Sequence, residues 1–252
     1  RHCRRRRRDR STWPWHDVLA GYCGGDLRGG RVTIALACLD MAGTTVADDG
    51  VAEASFDAAM QASGVDPNSE KWQSASEYVN ATMGQSKIAV FTHVFGDESL
   101  AEQANRAFEE AYAESVAAGM VTAIPGARGL LDDLRSRGVR VCLTTGFSAT
   151  TRDQILDSLG WHDAADLVLS PADAGRGRPW PDMIWTAALR LKAERMSEVA
   201  VVGDTPSDIE CGRRSGAGLV IGVLSGAGSE GELREAGADE VVADVTALAS
   251  WA

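Results

Sequence analysis

The 252-residue sequence lacks any apolar run of the roughly 18–20 residues that a membrane helix needs, so we expect no membrane-spanning segment and no membrane partner. It also lacks a CxxC spacing, and its cysteines are an odd number: Cys3, Cys23, Cys38, Cys142 and Cys211. Neither a disulfide framework nor a zinc site is therefore indicated. Two of the thiols lie in apolar runs, where a small buried cysteine is the ordinary interpretation. We expect a cytoplasmic protein.

Basic residues are scarce beyond residue 31. Residues 1–31 hold nine Arg and three Asp, a net charge of +6, whereas residues 32–252 hold 16 basic and 33 acidic residues, a net charge of −17. A body this acidic repels nucleic acid phosphates, so a nucleic-acid partner would depend on the arginine-rich segment alone, and we expect none. Residues 1–31 show no helical or strand periodicity and no signal-peptide pattern. We expect them to be a disordered or mis-assigned N-terminal extension.

Short apolar runs alternate with amphipathic segments in the second half of the chain. The runs over 139–145, 165–170, 199–204, 218–224 and 240–244 indicate buried strands, and residues 32–40 supply one more. Strands that alternate with helices at this spacing predict a parallel sheet covered on both faces. The fold class is therefore α/β, with a Rossmann-like parallel sheet and helices on both faces.

The segment 47–124 is different in kind. It is rich in Ala and Glu, has helical spacing in four stretches and offers no strand candidates, while Pro125 and Gly126 mark the return to the sheet. We predict a core domain of residues 32–46 and 125–252 and an inserted all-helical cap domain of residues 47–124. Its two linkers adjoin the end of the first strand, where open α/β sheets bind ligands, so we expect a lid over the site.

Polar residues follow the ends of four predicted elements. They are Asp40 in "LDMAGTT", Thr144, Thr145 and Gly146 in "LTTG", Arg178 in "GRGRPWP", and Asp204 and Asp208 in "GDTPSD". Carboxylates gathered at one edge of a sheet repel one another unless a cation joins them, and oxygen ligands of this kind favour Mg²⁺. Hydroxyls, backbone N–H groups and an arginine suit a phosphoryl or phosphonyl group.

The order DxxGTT, helical insert, hhTTG, basic residue and GDxxxD resembles the haloacid dehalogenase superfamily. Within it, the chain is similar to the phosphonoacetaldehyde hydrolases (phosphonatases) and their close relatives. Three details carry the closer likeness. Ala42 stands where most members have a second Asp, Arg178 in "GRPWP" stands where a Lys is usual, and "MGQSK" matches M-G-x-x-K and places a cap lysine at Lys87.

This resemblance implies a Mg²⁺-dependent hydrolase that acts on a small phosphonate or phosphate ester. Asp40 would attack phosphorus and ligate the metal together with the Ala42 carbonyl and Asp204, while Asp208 would hold the metal's waters. Thr144 and Arg178 would bind the phosphoryl oxygens, and the charge of Arg178 would keep Asp40 ionised. Further substrate contacts are expected from Thr44, Thr45, Thr145, Gly146, Met83 and Gly84. The family also implies a homodimer through the cap helices.

The same resemblance implies that Lys87 forms a Schiff base with an aldehyde substrate. The protonated imine then accepts the electrons of the C–P bond, which otherwise has a very poor leaving group. Such a lysine needs a pKa lowered by burial or neighbouring charge. The sequence departs from the phosphonatases at Val90, where they carry a helper histidine. His93 comes six residues after Lys87, about 120° away around a helix, so it does not share the lysine's face.

Two alternatives stay open. The first is a phosphatase of the same superfamily that acts on a small phosphate monoester whose leaving group needs little protonation. The second is a binding or regulatory protein without catalysis. The complete set of Asp40, Thr144, Arg178, Asp204 and Asp208 argues against the second.

Overall fold

The computed structural model describes residues 34–47 and 49–250, so the expected extension over residues 1–31 lies outside the described residues. The strands are β1 (Leu36–Asp40), β2 (Val46–Ala47), β3 (Thr122–Ala123), β4 (Arg140–Thr144), β5 (Leu167–Leu169), β6 (Val199–Gly203), β7 (Leu219–Val223) and β8 (Glu240–Val242). The helices are α1 (Val51–Ala62), α2 (Glu70–Ala81), α3 (Lys87–Phe95), α4 (Glu98–Ala117), α5 (Ala127–Ser136), α6 (Ala149–Leu159), α7 (Asp182–Arg190), α8 (Pro206–Ser215) and α9 (Glu230–Glu235). Within this part of the chain, no helix is both long enough and apolar enough to span a bilayer.

Six of the strands form one parallel sheet in the order β5-β4-β1-β6-β7-β8. Each predicted apolar run contains one of these strands, and all residues of β1, β6 and β7 are buried. Strands covered on both faces read as continuous apolar runs, which explains why the sequence located them. The predicted fold class, a Rossmann-like sheet with helices on both faces, is confirmed.

The position of β1 decides where a ligand can bind. It lies between β4 and β6, and its register places Asp40 opposite Thr144. Strand order therefore reverses at β1, and open sheets bind ligands at the carboxyl ends of the strands on either side of such a reversal. The residue that ends β1 consequently stands at the centre of the expected ligand edge.

Residues 47–124, predicted to be all-helical, contain the four expected helices, α1 to α4, but they also contain strand residues at both ends. Val46 pairs with Ala123, and Ala47 pairs with Thr122, in a two-residue antiparallel ladder. Strands this short leave no readable alternation in the sequence. The ladder joins the two linkers of the insert, and the domain boundaries at residues 46–47 and 124–125 stay a prediction.

An aromatic cluster runs through the inserted helices and reaches the sheet domain. The rings of Phe56 and Phe91 stack with centroids 5.0 Å apart, and Phe91 meets Phe108 at 6.1 Å. Tyr112 then contacts Phe147, in the loop after β4, at 4.6 Å. These rings are almost fully buried, and each such pair adds about 0.5–1.5 kcal/mol beyond the area it buries. The insert is therefore packed on the loop that carries Thr145 and Gly146.

Candidate active site

Three buried carboxylates meet at the ligand edge of the sheet. Asp40 ends β1, Asp204 follows β6 directly, and Asp208 lies in the first turn of α8. One carboxylate oxygen of each lies within 4.8 Å of the others, and none of the three residues is more than 5% exposed. The structure thus brings together the three acidic residues that the sequence predicted as metal ligands.

The electrostatics of this cluster favour a cation. Burial raises the pKa of Asp40 well above its usual range; Arg178 opposes that rise, and the charges of Asp208 and Asp204 add to it. Burial and the charge of Asp208 also raise the pKa of Asp204, to about 7. Arg178 thus lowers the pKa of Asp40 in the predicted direction, but burial outweighs it. The oxygen atoms of the three carboxylates are ligands of the kind that a hard divalent cation such as Mg²⁺ prefers, and a cation there would reduce the repulsion between them.

Arg178 connects the parts of the site. Its guanidinium is buried and lies 2.6 Å from a carboxylate oxygen of Asp40 and 2.6 Å from one of Asp208. Nη2 also donates to the Thr144 hydroxyl oxygen at 2.6 Å, and Nη1 donates to the Gly84 carbonyl at 3.2 Å. Charge-assisted hydrogen bonds of this kind are short and strong. One side chain therefore fixes the end of β1, the start of α8 and the loop of residues 82–86 between α2 and α3, which we call the cap loop, relative to one another.

The two threonines of "GTT" support the acidic residues from behind. Thr44 donates its hydroxyl to Asp204 at 2.9 Å, and Thr45 donates to the backbone carbonyl of Asp40 at 2.9 Å. Both are fully buried, and neither lines the cavity that opens beside the three carboxylates, although the sequence placed them among the substrate contacts. In the structure their hydroxyls hold the turn after β1 in shape.

Asp208 is oriented by the start of its own helix. Its carboxylate accepts hydrogen bonds from the Thr205 backbone N–H at 3.1 Å and from the Thr205 hydroxyl at 2.6 Å. The Thr205 hydroxyl in turn accepts from the Asp208 N–H, which completes a capping box. The spacing of "GDTPSD" therefore serves the local fold as well as the site.

A loop after β7 completes the surroundings of Asp204, and the sequence analysis missed it. The Ala227 N–H donates to Asp204 at 2.9 Å, and the Ser225 hydroxyl donates to the Gly43 carbonyl at 2.7 Å. A Cβ atom at Gly226 would lie 2.0 Å from an Asp204 oxygen, so the close approach requires glycine. The signal available in the sequence was "SGAG" directly after a buried strand.

A cavity of about 300 Å³ opens beside this cluster and is lined from both sides. The predicted site residues on its wall are Asp40, Ala42, Thr145, Gly146, Arg178 and Asp204 from the sheet domain and Met83, Gly84 and Lys87 from the insert. Thr144 and Asp208 stand behind the wall, held by Arg178. Asp49 and Glu53, which the sequence analysis did not single out, also line the cavity.

Lys87 begins α3 at the cap side of the cavity. Its Nζ lies 5.4 Å from the ring centroid of Phe147 and 5.9 Å from that of Phe108, and the side chain is half-buried. His93 is exposed, stacks on Tyr78 with ring centroids 3.8 Å apart, and does not line the cavity. The expectation that His93 does not share the lysine's face is therefore confirmed.

The cap loop meets the sheet domain at glycines. A Cβ atom at Gly146 would lie 2.5 Å from the Gln85 carbonyl oxygen, and one at Gly84 would lie 2.5 Å from the Thr205 hydroxyl oxygen. The Lys87 N–H also donates to the Gly146 carbonyl at 3.4 Å. These contacts set how closely Lys87 approaches the acidic cluster.

Gly146→Ala should therefore destabilise the protein by about 1–3 kcal/mol, because the new methyl group must displace the backbone of the cap loop. Gly129→Ala is the matched control, since Gly129 lies in α5 with open space around its Cβ position. The control should gain about 0.5–1 kcal/mol from the lower helix cost of alanine. Chemical denaturation of both variants measures the difference, and equal stabilities would contradict the close packing.

Comparison with known proteins gives the family. The model of the haloacid dehalogenase-like hydrolases matches residues 34–216. The phosphonoacetaldehyde hydrolase of Bacillus mycoides (strain KBAB4) is 31% identical over 147 residues, which are 57% of this chain. The matched part is 55% of that relative's own length, so the chain spans little more than half of it.

Two solved structures share the whole architecture. A hydrolase from Pseudomonas syringae superposes with a TM-score of 0.72 at 25% identity, over 85% of this chain and 95% of that one. A phosphonoacetaldehyde hydrolase-like protein from Oleispira antarctica superposes with a TM-score of 0.71 at 22% identity, over 88% and 94% of the two chains. Together with the matched family model, these likenesses confirm the resemblance inferred from the motifs. The chain belongs to the haloacid dehalogenase-like hydrolases.

Proposed function

We propose that this hydrolase cleaves the C–P bond of phosphonoacetaldehyde or a related small carbonyl phosphonate in a Mg²⁺-dependent reaction. One observation carries the proposal: a single cavity is lined by Asp40 and Arg178 on one side and by Lys87 on the other. A nucleophile for phosphorus and an amine for a carbonyl group are thus available to the two ends of one small molecule.

The sheet domain would act on the phosphonate. Asp40 attacks phosphorus in line, and the aspartyl-phosphate that forms is later hydrolysed by water. Arg178 holds the phosphonyl oxygens, with Thr145 and Gly146 on the same wall. Thr144, which does not line the cavity, positions Arg178 by accepting its hydrogen bond. Asp40, the Ala42 carbonyl and Asp204 would hold Mg²⁺, with Asp208 beyond them. When bound, the cation neutralises the charge that the carboxylates and the phosphonate bring together.

The insert would act on the carbonyl group. The Lys87 amine condenses with the aldehyde and releases water, and the resulting iminium ion takes up the electron pair of the C–P bond as an enamine. Protonation of the enamine carbon and hydrolysis of the imine then release acetaldehyde and regenerate the lysine. No general acid at position 42 is needed for this leaving group, which agrees with alanine there.

Product analysis tests the proposal. Incubation with phosphonoacetaldehyde and Mg²⁺ should release acetaldehyde and phosphate in equal amounts, measured by alcohol dehydrogenase coupling and by phosphate detection. A panel of small phosphate monoesters serves as the comparison. Turnover of the esters without release of acetaldehyde from the phosphonate would reject C–P cleavage and leave a phosphatase.

That phosphatase is the second candidate, and Val90 is the observation in its favour. Valine stands where the phosphonatases carry a helper histidine, and His93 does not replace it at the cavity. A phosphatase would use Asp40 and Arg178 in the same way, without an imine at Lys87. The homodimer through the cap helices and the cytoplasmic location stay predictions.

Mg²⁺ should stabilise the protein by binding to the folded state alone. At 100 times its dissociation constant, a ligand adds about 2.7 kcal/mol, which for a chain of this size raises the melting temperature by roughly 5–10 °C. Asp204→Asn should lose most of this shift, whereas Asp49→Asn, which alters a cavity carboxylate outside the cluster, should keep it. Differential scanning fluorimetry with Mg²⁺ and with EDTA measures it, and an equal shift in all three proteins would place the cation elsewhere.

A further inference from the structure

A second and smaller void adjoins the main cavity on the cap side. It measures about 10 Å³ and shares Ala52, Met83 and Lys87 with the wall of the main cavity. Phe56, Val79 and Val90 enclose the rest, together with Phe108 and Thr82. Lys87 is therefore part of the wall of both cavities.

The chemistry of the wall favours an apolar occupant. Apart from Thr82 and Lys87, the side chains that line it are apolar, and Phe56, Val90 and Phe108 are each at most 4% exposed. The Thr82 hydroxyl donates to the Tyr78 carbonyl at 2.7 Å, within its own helix turn. A void of this size admits about one water-sized sphere, but a water needs two to four polar partners. A methyl group needs no polar partner.

The position of the void relates it to one part of the substrate. The phosphonate group is held at Asp40 and Arg178, and the carbonyl carbon is bonded to the Lys87 nitrogen. The remaining substituent on that carbon is therefore adjacent to Lys87, which lines both cavities. In an aldehyde this substituent is hydrogen, which leaves the void empty.

We propose that the void is a subsite for a methyl group on the carbonyl carbon, so that the enzyme accepts methyl ketone phosphonates such as 2-oxopropylphosphonate. This inference rests on the proposed imine chemistry. Lys87 condenses with the ketone and releases water, Asp40 displaces the enamine from phosphorus, and the enamine is protonated at carbon. Hydrolysis of the imine and of the aspartyl-phosphate then gives acetone and phosphate, for a net consumption of one water.

Substitutions at Val90 test the subsite. Val90→Ile fills the void with one methyl group, so the ratio of kcat/KM for 2-oxopropylphosphonate to that for phosphonoacetaldehyde should fall about tenfold. Comparing this ratio between the variant and the wild type cancels the lower intrinsic reactivity of ketones, because that reactivity is the same for both proteins. Val116→Ile is the matched control, because Val116 is a buried valine of the same insert that lines neither cavity, and its ratio should stay within about twofold of wild type.

Val90→Ala provides a second test that does not depend on overpacking. It enlarges the void, so turnover of 2-oxobutylphosphonate relative to 2-oxopropylphosphonate should rise. Wild-type turnover of the aldehyde without any turnover of the ketone would overturn the subsite and leave the proposed function intact. An unchanged ketone-to-aldehyde ratio in Val90→Ile would overturn it as well. Failure of both phosphonates would reject the proposed function itself, and the subsite with it.

Discussion

Asp40→Asn should lower phosphate release from every substrate by about 10⁴-fold or more, because a carboxamide cannot attack phosphorus. The exchange keeps the shape of a side chain that is only 5% exposed and ends β1, so the loss would report on chemistry rather than on packing. Steady-state phosphate release measures the effect. Rapid acid quench of the wild-type enzyme should also trap phosphate on Asp40, and the variant should trap none.

The matched control is Asp49→Asn, which removes another carboxylate from the wall of the same cavity. Asp49 is not one of the three clustered aspartates, so its removal should change turnover by less than about tenfold. Thermal unfolding of both variants establishes that they are folded. Activity of the Asp40 variant within tenfold of wild type would show that a different group attacks phosphorus.

The order of the motifs was enough to predict which residues meet at the site, and the reason lies in the sheet. β1 and β6 are buried throughout and β4 is buried after Arg140, so each appears in the sequence as an apolar run. Parallel strands present their carboxyl ends on the same edge. Once the strands are located, the convergence of Asp40, Thr144 and Asp204 follows from the topology without any knowledge of the loops.

The contacts made by loop residues at the site could not be predicted from the sequence. Whether Thr44 and Thr45 face the ligand or the protein depends on the path of a five-residue turn, and in the structure both hydroxyls bond to the ends of neighbouring elements. The contact between Ala227 and Asp204 depends on β7 lying beside β6, which joins residues 23 positions apart. Neither arrangement leaves a periodic signal, because each is fixed by tertiary packing and not by local propensity.

Alanine at position 42 leaves this wall of the cavity without the second aspartate that most members of the superfamily carry there. A leaving group activated from this side of the cavity would need such an acid. Under the proposed function the activation comes from the opposite side, where the insert contributes Lys87.

Lys87→Ala should abolish C–P cleavage of phosphonoacetaldehyde, with a loss of at least about 10³-fold, because no other group proposed here can accept the electrons of that bond. Lys87→Arg should lose as much, since it keeps the positive charge near Phe108 and Phe147 but cannot form an imine. Lys71→Ala is the matched control. Lys71 is an exposed lysine of the same insert, lies 4.6 Å from the ring of Phe95, and does not line the cavity.

Borohydride reduction connects this loss to a covalent intermediate. Reduction in the presence of phosphonoacetaldehyde should inactivate the wild type and add the substrate's two-carbon unit to the peptide that contains Lys87, as read by mass spectrometry. The Lys71 variant should label in the same way, and neither Lys87 variant should label at that position. Equal turnover of the phosphonate by Lys87→Ala would reject the imine. Loss of phosphonate turnover in that variant with phosphate ester hydrolysis retained would separate the role of the insert from that of Asp40, because only C–P cleavage requires the electron acceptor that Lys87 provides.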